Sequence, residues 1–247
     1  MKVATWNVNG IRARAAQVQE WMAREQPDVV CLQEIKALPS QVPEALVQHP
    51  DYFGFWHGAG PYSGVSLMLR RGICQAEPCF VHPTFDVETR VVTAEVGNTV
   101  FASIYVPNGG KDYDAKITFL RALGDFAGAT RASGKELVLC GDLNVARTDR
   151  DVHAKERKPG LIGQRPEERE LFERILGHGL VDVGRAQEPD KEGLFTWWAP
   201  WRNMRQRNIG WRIDYVLASN AVAERITSCR VQADVGTSDH APVVAQW

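Results

Sequence analysis

The stretch VVTAEVGNTVFASIYV, residues 91–106, decides the fold class, because it holds two strand-like runs with no helix between them. Apolar and β-branched runs of this kind predict buried strands. The same pattern predicts strands over residues 2–9, 28–33, 65–69, 136–140, 194–198, 212–218, 225–231 and 241–247. Helices are predicted only over residues 14–25 and 114–131 and from Pro166 onward, where a proline and acidic residues suit a first turn.

Strands therefore outnumber helices and often follow each other directly, which argues against a doubly wound parallel sheet. We predict an α+β fold of the four-layer α/β sandwich type. Two mixed, mostly antiparallel β-sheets pack face to face, with the helices on the outside. No linker, composition break or short repeat interrupts the sequence, so we expect one catalytic domain over residues 1–247.

The overall charge gives no support to a nucleic-acid partner. The net charge is −1, whereas proteins that bind nucleic acid usually carry a basic balance. Any DNA contact must then come from local basic clusters, over residues 147–158 and 202–212. The second cluster has no acidic residue and is interleaved with Trp201 and Trp211, which favours a nucleic-acid surface. The alternative for any charge run is a solvated face.

The cysteines indicate a reducing environment. Their number is five and no CxxC pair occurs, so neither a disulfide framework nor a zinc knuckle is predicted. The sequence opens into a strand-like segment without a signal peptide, and no apolar run reaches membrane-spanning length. We expect a cytoplasmic protein with no membrane partner.

Polar residues stand where apolar strands end, and there they can converge on one cleft. They are Asn7, Glu34, Tyr105, Asn108, Asp142, Asn144, Asp214, Asp239 and His240. Singly, an Asp or Asn after a strand is more often a turn-former. Asp214 inside a strand is different, because a buried carboxylate is costly unless it is paired, and His240 is the obvious partner.

Together these side chains have the inventory of a metal-assisted hydrolase. Carboxylate and amide oxygens without thiolates suit Mg²⁺, with Mn²⁺ as a substitute. An aspartate can accept a proton from water, and an Asp–His pair can orient an imidazole beside a phosphoryl oxygen. No GxSxG, HExxH or GxxxxGK[ST] motif offers another chemistry. The set favours phosphoryl transfer.

The same motifs, in this order, resemble the exonuclease III / AP endonuclease family of DNA-repair nucleases, part of the endonuclease–exonuclease–phosphatase superfamily. They are TWNVNGIRAR, VVCLQEIK, YSGVSL, SIYVPNGG, CGDLNVARTDRDVH, RPEERELFERIL, FTWW, RNIGWRIDYVLAS and GTSDHAPV. The resemblance covers essentially the whole chain. Two departures are a short stretch after Gly110 and the triplet ETR at residues 88–90, where relatives more often have EGR; the second matters only if Thr89 adopts a positive φ.

The resemblance implies a role for each core residue. Glu34 is similar to the principal metal ligand of the family, with Asn7 and Asp239 near the same ion. Asp142 resembles the residue that activates or orients the attacking water and Asn144 its positioning partner, and both contact metal if two ions bind. Tyr105 corresponds to a phenol that contacts the phosphate or leaving group. His240, oriented by Asp214, resembles the imidazole at the scissile phosphate, and we count it among the metal-binding residues.

The substrate depends on the segment before Asp214. The resemblance implies that Trp211 and Ile213, with Trp197 opposite, line a pocket for a sugar that lacks its base; the alternative for Trp211 is a core position. Arg205, Arg207, Asn208 and Arg212 are then expected to hold phosphates of double-stranded DNA.

The implied activity is cleavage 5′ to abasic sites, 3′→5′ exonuclease and 3′-end cleaning by a monomer. The alternatives are a superfamily member that acts on RNA, phosphoinositide or sphingomyelin, and a catalytically inactive scaffold.

Overall fold

The computed structural model describes all residues, 1–247, and contains twelve strands and six α-helices. The strands are β1 Lys2–Asn7, β2 Val29–Gln33, β3 Tyr52–His57, β4 Val65–Arg70, β5 Phe80–Val81, β6 Val91–Val96, β7 Thr99–Tyr105, β8 Glu136–Asp142, β9 Leu180–Asp182, β10 Asp214–Ser219, β11 Ser228–Val231 and β12 Val243–Gln246. The helices are α1 Ile11–Glu25, α2 Glu44–Val47, α3 Tyr113–Ala132, α4 Pro166–Gly177, α5 Val183–Gln187 and α6 Asn220–Ala223.

The strands form two six-stranded sheets of matching design. One has the order β11-β12-β1-β2-β4-β3 and the other β5-β6-β7-β8-β10-β9. In each sheet the two central strands, β1 with β2 and β7 with β8, are parallel, and all other pairs are antiparallel. Helix α1 connects the first parallel pair and α3 the second, as a parallel pair requires a crossover.

Three apolar layers hold the sandwich together, which confirms the predicted fold class. Side chains such as Cys31 and Leu67 of the first sheet and Val138 and Cys140 of the second form the layer between the sheets. A second layer packs α3 and α4 on β7 and β8, and a third packs α1 on β1 and β2. Because the central strands are covered on both faces, they read as continuous apolar runs in the sequence. None of the helices is long and apolar enough to cross a membrane.

The structure corrects several predicted elements. Residues 194–198 do not form a strand, since only Trp197 makes isolated bridges, to Trp211 and His240. The strand predicted over residues 212–218 begins at Asp214, and the one predicted over 225–231 begins at Ser228. Strand β3 was not predicted, because a glycine and half-buried side chains interrupt its alternation.

The ETR departure falls on strained backbone. Thr89 has φ 58° and Glu88 has φ 54°, so two adjacent non-glycine residues lie in the left-handed region. The Ser63 hydroxyl donates to the carbonyl oxygen of Glu88 and holds the turn. Glycine at position 89 would adopt this conformation without the steric cost of Cβ.

Candidate active site

The carboxyl ends of the two parallel pairs point into the same cleft. Asn7 ends β1, Glu34 directly follows β2, Tyr105 ends β7 and Asp142 ends β8. The Asn7 amide Nδ2 donates to Glu34 Oε1 at 3.0 Å and to Asp142 Oδ2 at 2.9 Å. The Tyr105 hydroxyl donates to the same Glu34 oxygen at 2.9 Å. Hydrogen bonds across the two sheets thus fix one polar cluster at the edge where ligands bind in α/β folds.

A glycine is required directly before Asp142. Strand β8 passes so close to β7 that a Cβ at Gly141 would lie 1.8 Å from the carbonyl oxygen of Ile104. Only glycine permits this approach. The glycine of the GDLN motif therefore lets β8 lie close to β7, and this approach positions the Asp142 carboxylate in the cleft.

An aspartate–histidine pair faces Asp142. His240 Nδ1 lies 2.9 Å from Asp214 Oδ2, and His240 Nε2 lies 3.9 Å from Asp142 Oδ2. Both side chains are buried, and the other oxygen of Asp214 has no hydrogen-bond partner. Because Nδ1 donates to Asp214, Nε2 is the nitrogen presented to the cleft. The pair that the sequence predicted between Asp214 and His240 is present.

Burial and neighbouring charge together raise the pKa values of three cleft residues, Asp142, His240 and Tyr105. Burial raises the pKa of Asp142 to about 7, and the charges of Asp214 and Glu34 add to the rise. Burial would lower the pKa of His240, but the carboxylates of Asp214 and Asp142 raise it to about 10. Burial, with the charge of Glu34, also raises the pKa of Tyr105 above its usual value. At neutral pH the imidazole is therefore a cation and the phenol a hydrogen-bond donor.

Asp239 joins the cluster through Trp197, which the sequence singled out, and through Asn9, which it did not. Asn9 Nδ2 donates to Asp239 Oδ1 at 2.8 Å, and Trp197 Nε1 donates to Oδ2 at 3.0 Å. Lys36 Nζ lies 2.6 Å from Glu34 Oε2 and 2.7 Å from Asn9 Oδ1. The only sequence indication of Asn9 and Lys36 was their place inside the motifs TWNVNG and LQEIK.

Aromatic and aliphatic side chains form the other wall. Trp197 and Trp211 meet edge to face with ring centroids 5.9 Å apart, and their backbones pair with each other. Ile213, Trp201 and Leu161 complete this wall. The cleft encloses about 550 Å³ between the wall and the polar cluster. Trp211 is nine-tenths buried and packs on Val152 and Ile213, and it also lines the cleft. It is therefore both a core residue and a cleft residue.

Comparison with known proteins agrees with this geometry. The model of the Endonuclease/Exonuclease/phosphatase family matches residues 4–240. The chain belongs to this family. It is 36% identical to the exodeoxyribonuclease of Bacillus subtilis over 98% of both chains. It is 33% identical to the DNA repair nuclease APEX1 of Danio rerio, over 98% of this chain and 81% of the relative. An AP endonuclease structure from Archaeoglobus fulgidus, 29% identical, superposes with a TM-score of 0.90 over 100% of this chain and 99% of that one.

The cleft of this family member concentrates backbone strain. Asn9, Glu34, Lys36 and Asn144 all have φ between 44° and 52° and all line the cleft. Each left-handed residue costs on the order of 1–3 kcal/mol and persists only where the surroundings fix it. Asn144 shows how: its Nδ2 donates to the carbonyl of Val106 at 2.9 Å, and its backbone N–H donates to Asp142 Oδ1 at 2.9 Å. The strain aims these side chains into the cleft.

The donor set fits a hard divalent cation. Ligand atoms of Glu34, Asp142 and His240 lie within 4.8 Å of one another, but the His240 imidazole is a cation without a free lone pair, so the carboxylates are the donors. Asn7 bridges the two carboxylates, and Asp239 lines the same cleft. Carboxylate oxygens are what Mg²⁺ takes, and a cation would oppose the burial and the carboxylate repulsion that raise the pKa of Asp142.

Arg212 is not where the sequence placed it. The structure buries its guanidinium, which donates from Nε to Asp151 Oδ1 at 2.7 Å and from Nη1 and Nη2 to the two oxygens of Asp182 at 2.8 and 2.7 Å. These bonds occupy it, and it does not line the cleft. The predicted phosphate contact of Arg212 is therefore corrected to a structural ion pair.

Two of its neighbours are also engaged within the protein. Arg205 is half-buried and donates to the backbone carbonyls of Ala233, Val235 and Ser238, so it supports the loop before Asp239. Asn208 accepts from Trp198 Nε1 at 3.1 Å, and its amide donates to Gly193 O. Arg207 is exposed, and its one hydrogen bond, to Arg202 O, is long at 3.4 Å. Of the four predicted phosphate contacts, Arg207 alone presents its charge to solvent.

Proposed function

We propose that the protein is a DNA-repair phosphodiesterase, which cuts 5′ to abasic sites and removes nucleotides or blocking groups from 3′ ends of duplex DNA. The observation that carries the proposal is the pairing of a buried His240–Asp214 dyad with Asp142, opposite Glu34, in one cleft. The exodeoxyribonuclease, DNA repair nuclease and AP endonuclease relatives support DNA as the substrate.

The protonation states assign a role to each group. His240 is a cation at neutral pH, so it stabilises charge on the phosphoryl oxygens and is unsuited to act as the base. Asp142, with a pKa near 7, accepts the proton of the attacking water. The Asn144 backbone N–H donates to Oδ1 of Asp142, while Oδ2 accepts from Asn7 and faces His240 across the cleft. Tyr105 keeps its proton and donates a hydrogen bond to the phosphate or leaving oxygen.

Mg²⁺ is the proposed cofactor, with Mn²⁺ as a substitute. Glu34, Asp142 and Asp239 would hold it, while Asn7 orients Glu34 and Asp142 through its amide N–H groups and Asn144 and His240 lie beside it. When bound, the ion supplies a Lewis acid that neutralises charge on the phosphoryl group.

The aromatic wall supports the abasic-site specificity. Trp197, Trp211 and Ile213 present apolar surface opposite the polar cluster. A sugar without a base fits such a surface after flipping, whereas a base would have to displace the packed rings. A monomer suffices, because the cleft is built from one chain. The cytoplasmic location stays a prediction.

One end-labelled duplex assay tests the proposal. It compares an abasic-site strand, an intact blunt strand and a 3′-phosphate strand, each with Mg²⁺, Mn²⁺ or chelator. We expect cleavage 5′ to the abasic site and removal of the 3′-phosphate, both lost with chelator. Asp142→Asn should lower turnover by about 10²–10⁴-fold. Asp125→Asn, a control at an exposed position, should leave turnover unchanged. Wild-type protein that leaves all three strands intact, or an unaffected Asp142→Asn variant, contradicts the proposal.

A further inference from the structure

Two histidines and an aspartate form a second cluster, away from the cleft. His57 ends β3, His82 directly follows β5, and Asp86 lies four residues later. Ligand atoms of all three lie within 4.8 Å of one another. None of them lines the active-site cleft, and the proposed mechanism uses none of them.

Two of the three side chains, Asp86 and His82, are already oriented by backbone contacts behind them. Asp86 Oδ1 accepts the backbone N–H groups of Arg90 at 2.7 Å and Val91 at 2.9 Å, which leaves Oδ2 beside His57 Nε2 at 2.5 Å. His82 Nδ1 lies 3.2 Å from the carbonyl oxygen of Val91, so this nitrogen donates and Nε2 keeps its lone pair. Contacts of this kind fix the tautomer and orientation of metal ligands.

The surroundings favour a compact site. The two imidazoles stack with centroids 3.8 Å apart and planes inclined by 16°. The ring of Phe55 lies 5.1 Å from His82 and 5.4 Å from Phe80, which gives the cluster an apolar wall. Ligand atoms around a tetrahedral ion with bonds of about 2.0–2.1 Å are roughly 3.3 Å apart. The three side chains need shifts on the order of 1 Å to meet that geometry.

We propose that His57, His82 and Asp86 bind one divalent transition-metal ion of the Zn²⁺ class. Two imidazoles and a carboxylate suit Zn²⁺, Co²⁺, Ni²⁺ or Cu²⁺, whereas Mg²⁺ takes oxygen ligands. Three protein ligands leave a fourth position for water.

The site joins β3 to residues 82–90, which follow β5 and lead toward the active site. That segment carries Arg90, whose guanidinium lies 4.6 Å from the ring centroid of Tyr105. The ion thereby fixes the start of the segment that ends against an active-site residue.

The test uses the full chain with Glu34→Gln, Asp142→Asn and Asp239→Asn, which removes three carboxylates that line the cleft. This protein is titrated with Co²⁺, followed by visible absorption, and then with Zn²⁺ as competitor. We expect one Co²⁺ per chain, displaced by Zn²⁺ but not by millimolar Mg²⁺. Adding His82→Asn should weaken Co²⁺ binding by at least about tenfold. His49→Asn, a histidine outside the cluster, should leave it unchanged.

A second measurement does not depend on the visible absorption of Co²⁺. Zn²⁺ should raise the thermal midpoint of the cleft-disabled protein, because a ligand that binds only the folded state stabilises it. His82→Asn should abolish that rise, and His82 is exposed, so the variant is expected to fold. No Co²⁺ binding, equal binding with His82→Asn, or displacement by Mg²⁺ would overturn the proposal and leave a stacked pair of imidazoles, of which His57 is hydrogen-bonded to Asp86.

Discussion

Replacing Arg212 by glutamine should destabilise the protein without weakening the electrostatic part of DNA binding. In the structure this guanidinium makes three charge-assisted hydrogen bonds, of 2.7 to 2.8 Å, to the buried carboxylates of Asp151 and Asp182. Removing one partner from a buried ion pair costs about 3–5 kcal/mol, because the remaining charge is left uncompensated. Arg185 still pairs with Asp151 at 2.7 Å and Arg147 with Asp182 at 3.4 Å, so the lower end of that range applies.

A loss of about 3 kcal/mol should lower the thermal midpoint by roughly 6–12 °C for a chain of this size. The effect should depend on pH. Burial raises the pKa of Asp151, but the charges of Arg212 and Arg185 lower it by a larger amount. The pKa of Asp151 in the folded protein therefore lies below its usual value. A carboxylate whose pKa is lower in the folded than in the unfolded state stabilises the fold at pH values above its unfolded pKa of about 3.9. That contribution is lost as the pH falls through the folded pKa. The difference in the free energy of unfolding between wild type and Arg212→Gln should therefore become smaller below about pH 4.

The assays are urea unfolding at several pH values and the salt dependence of the DNA dissociation constant. Arg207→Gln is the matched control, since Arg207 is exposed. The control should keep its unfolding free energy, and its salt slope should fall by about one unit for one lost phosphate contact. An Arg212→Gln variant with wild-type stability, or one whose salt slope falls as in the control, would refute the assignment of Arg212 as a structural residue.

Three further predictions follow from other parts of the structure. Asp214→Asn should lower kcat roughly 10²–10⁴-fold with little change in KM, because the carboxylate orients His240; steady-state kinetics on an abasic duplex measures this, and an unchanged kcat would contradict it. Trp211→Ala should cut the preference for an abasic over an intact strand by roughly tenfold or more, since apolar pocket contacts are worth about 1–3 kcal/mol; an unaltered ratio of kcat/KM values would assign Trp211 to the core alone. Thr89→Gly should stabilise the fold by about 0.5 kcal/mol, because relief of the positive φ slightly exceeds the backbone entropy of glycine; a lower urea midpoint would show that the Thr89 side chain matters more than its strain.

The sequence predicted the sandwich and the polar core of the site because both are written in local patterns. Buried central strands such as β2 and β8 appear as apolar runs, and the residues that end them, including Glu34 and Asp142, are the ones that meet in the cleft. Strand ends and cleft positions coincide, so the predicted strand ends located the residues that meet in the cleft. The Asp214–His240 pair followed from the cost of a lone buried carboxylate.

What the sequence did not predict depends on partners distant along the chain. Arg212 lies in a basic run and resembled a surface cation, but its carboxylates come from positions 61 and 30 residues away. Arg205 is similar: the carbonyls it binds lie 28 to 33 residues further on. Lys36 and Asn9 look like ordinary loop residues until the folded chain brings them together at Asp239 and Glu34. Charge patterns show which residues carry charge, and only the folded structure shows which charges are already neutralised.

The antiparallel pairing of β1 with β12 has a consequence for synthesis on the ribosome. β1 is made first and β12 last, and they pair from Lys2↔Gln246 to Thr5↔Val243. Until β12 emerges, one edge of β1 stays unpaired, and exposed edges invite aggregation. Asp239 and His240 lie just before β12, so a nascent chain that has not reached them lacks both the strand that covers β1 and the imidazole of the cleft. A molecule truncated before Asp239 therefore loses part of the cleft and the partner strand of β1 in the same event, and the exposed edge of β1 makes it prone to aggregate.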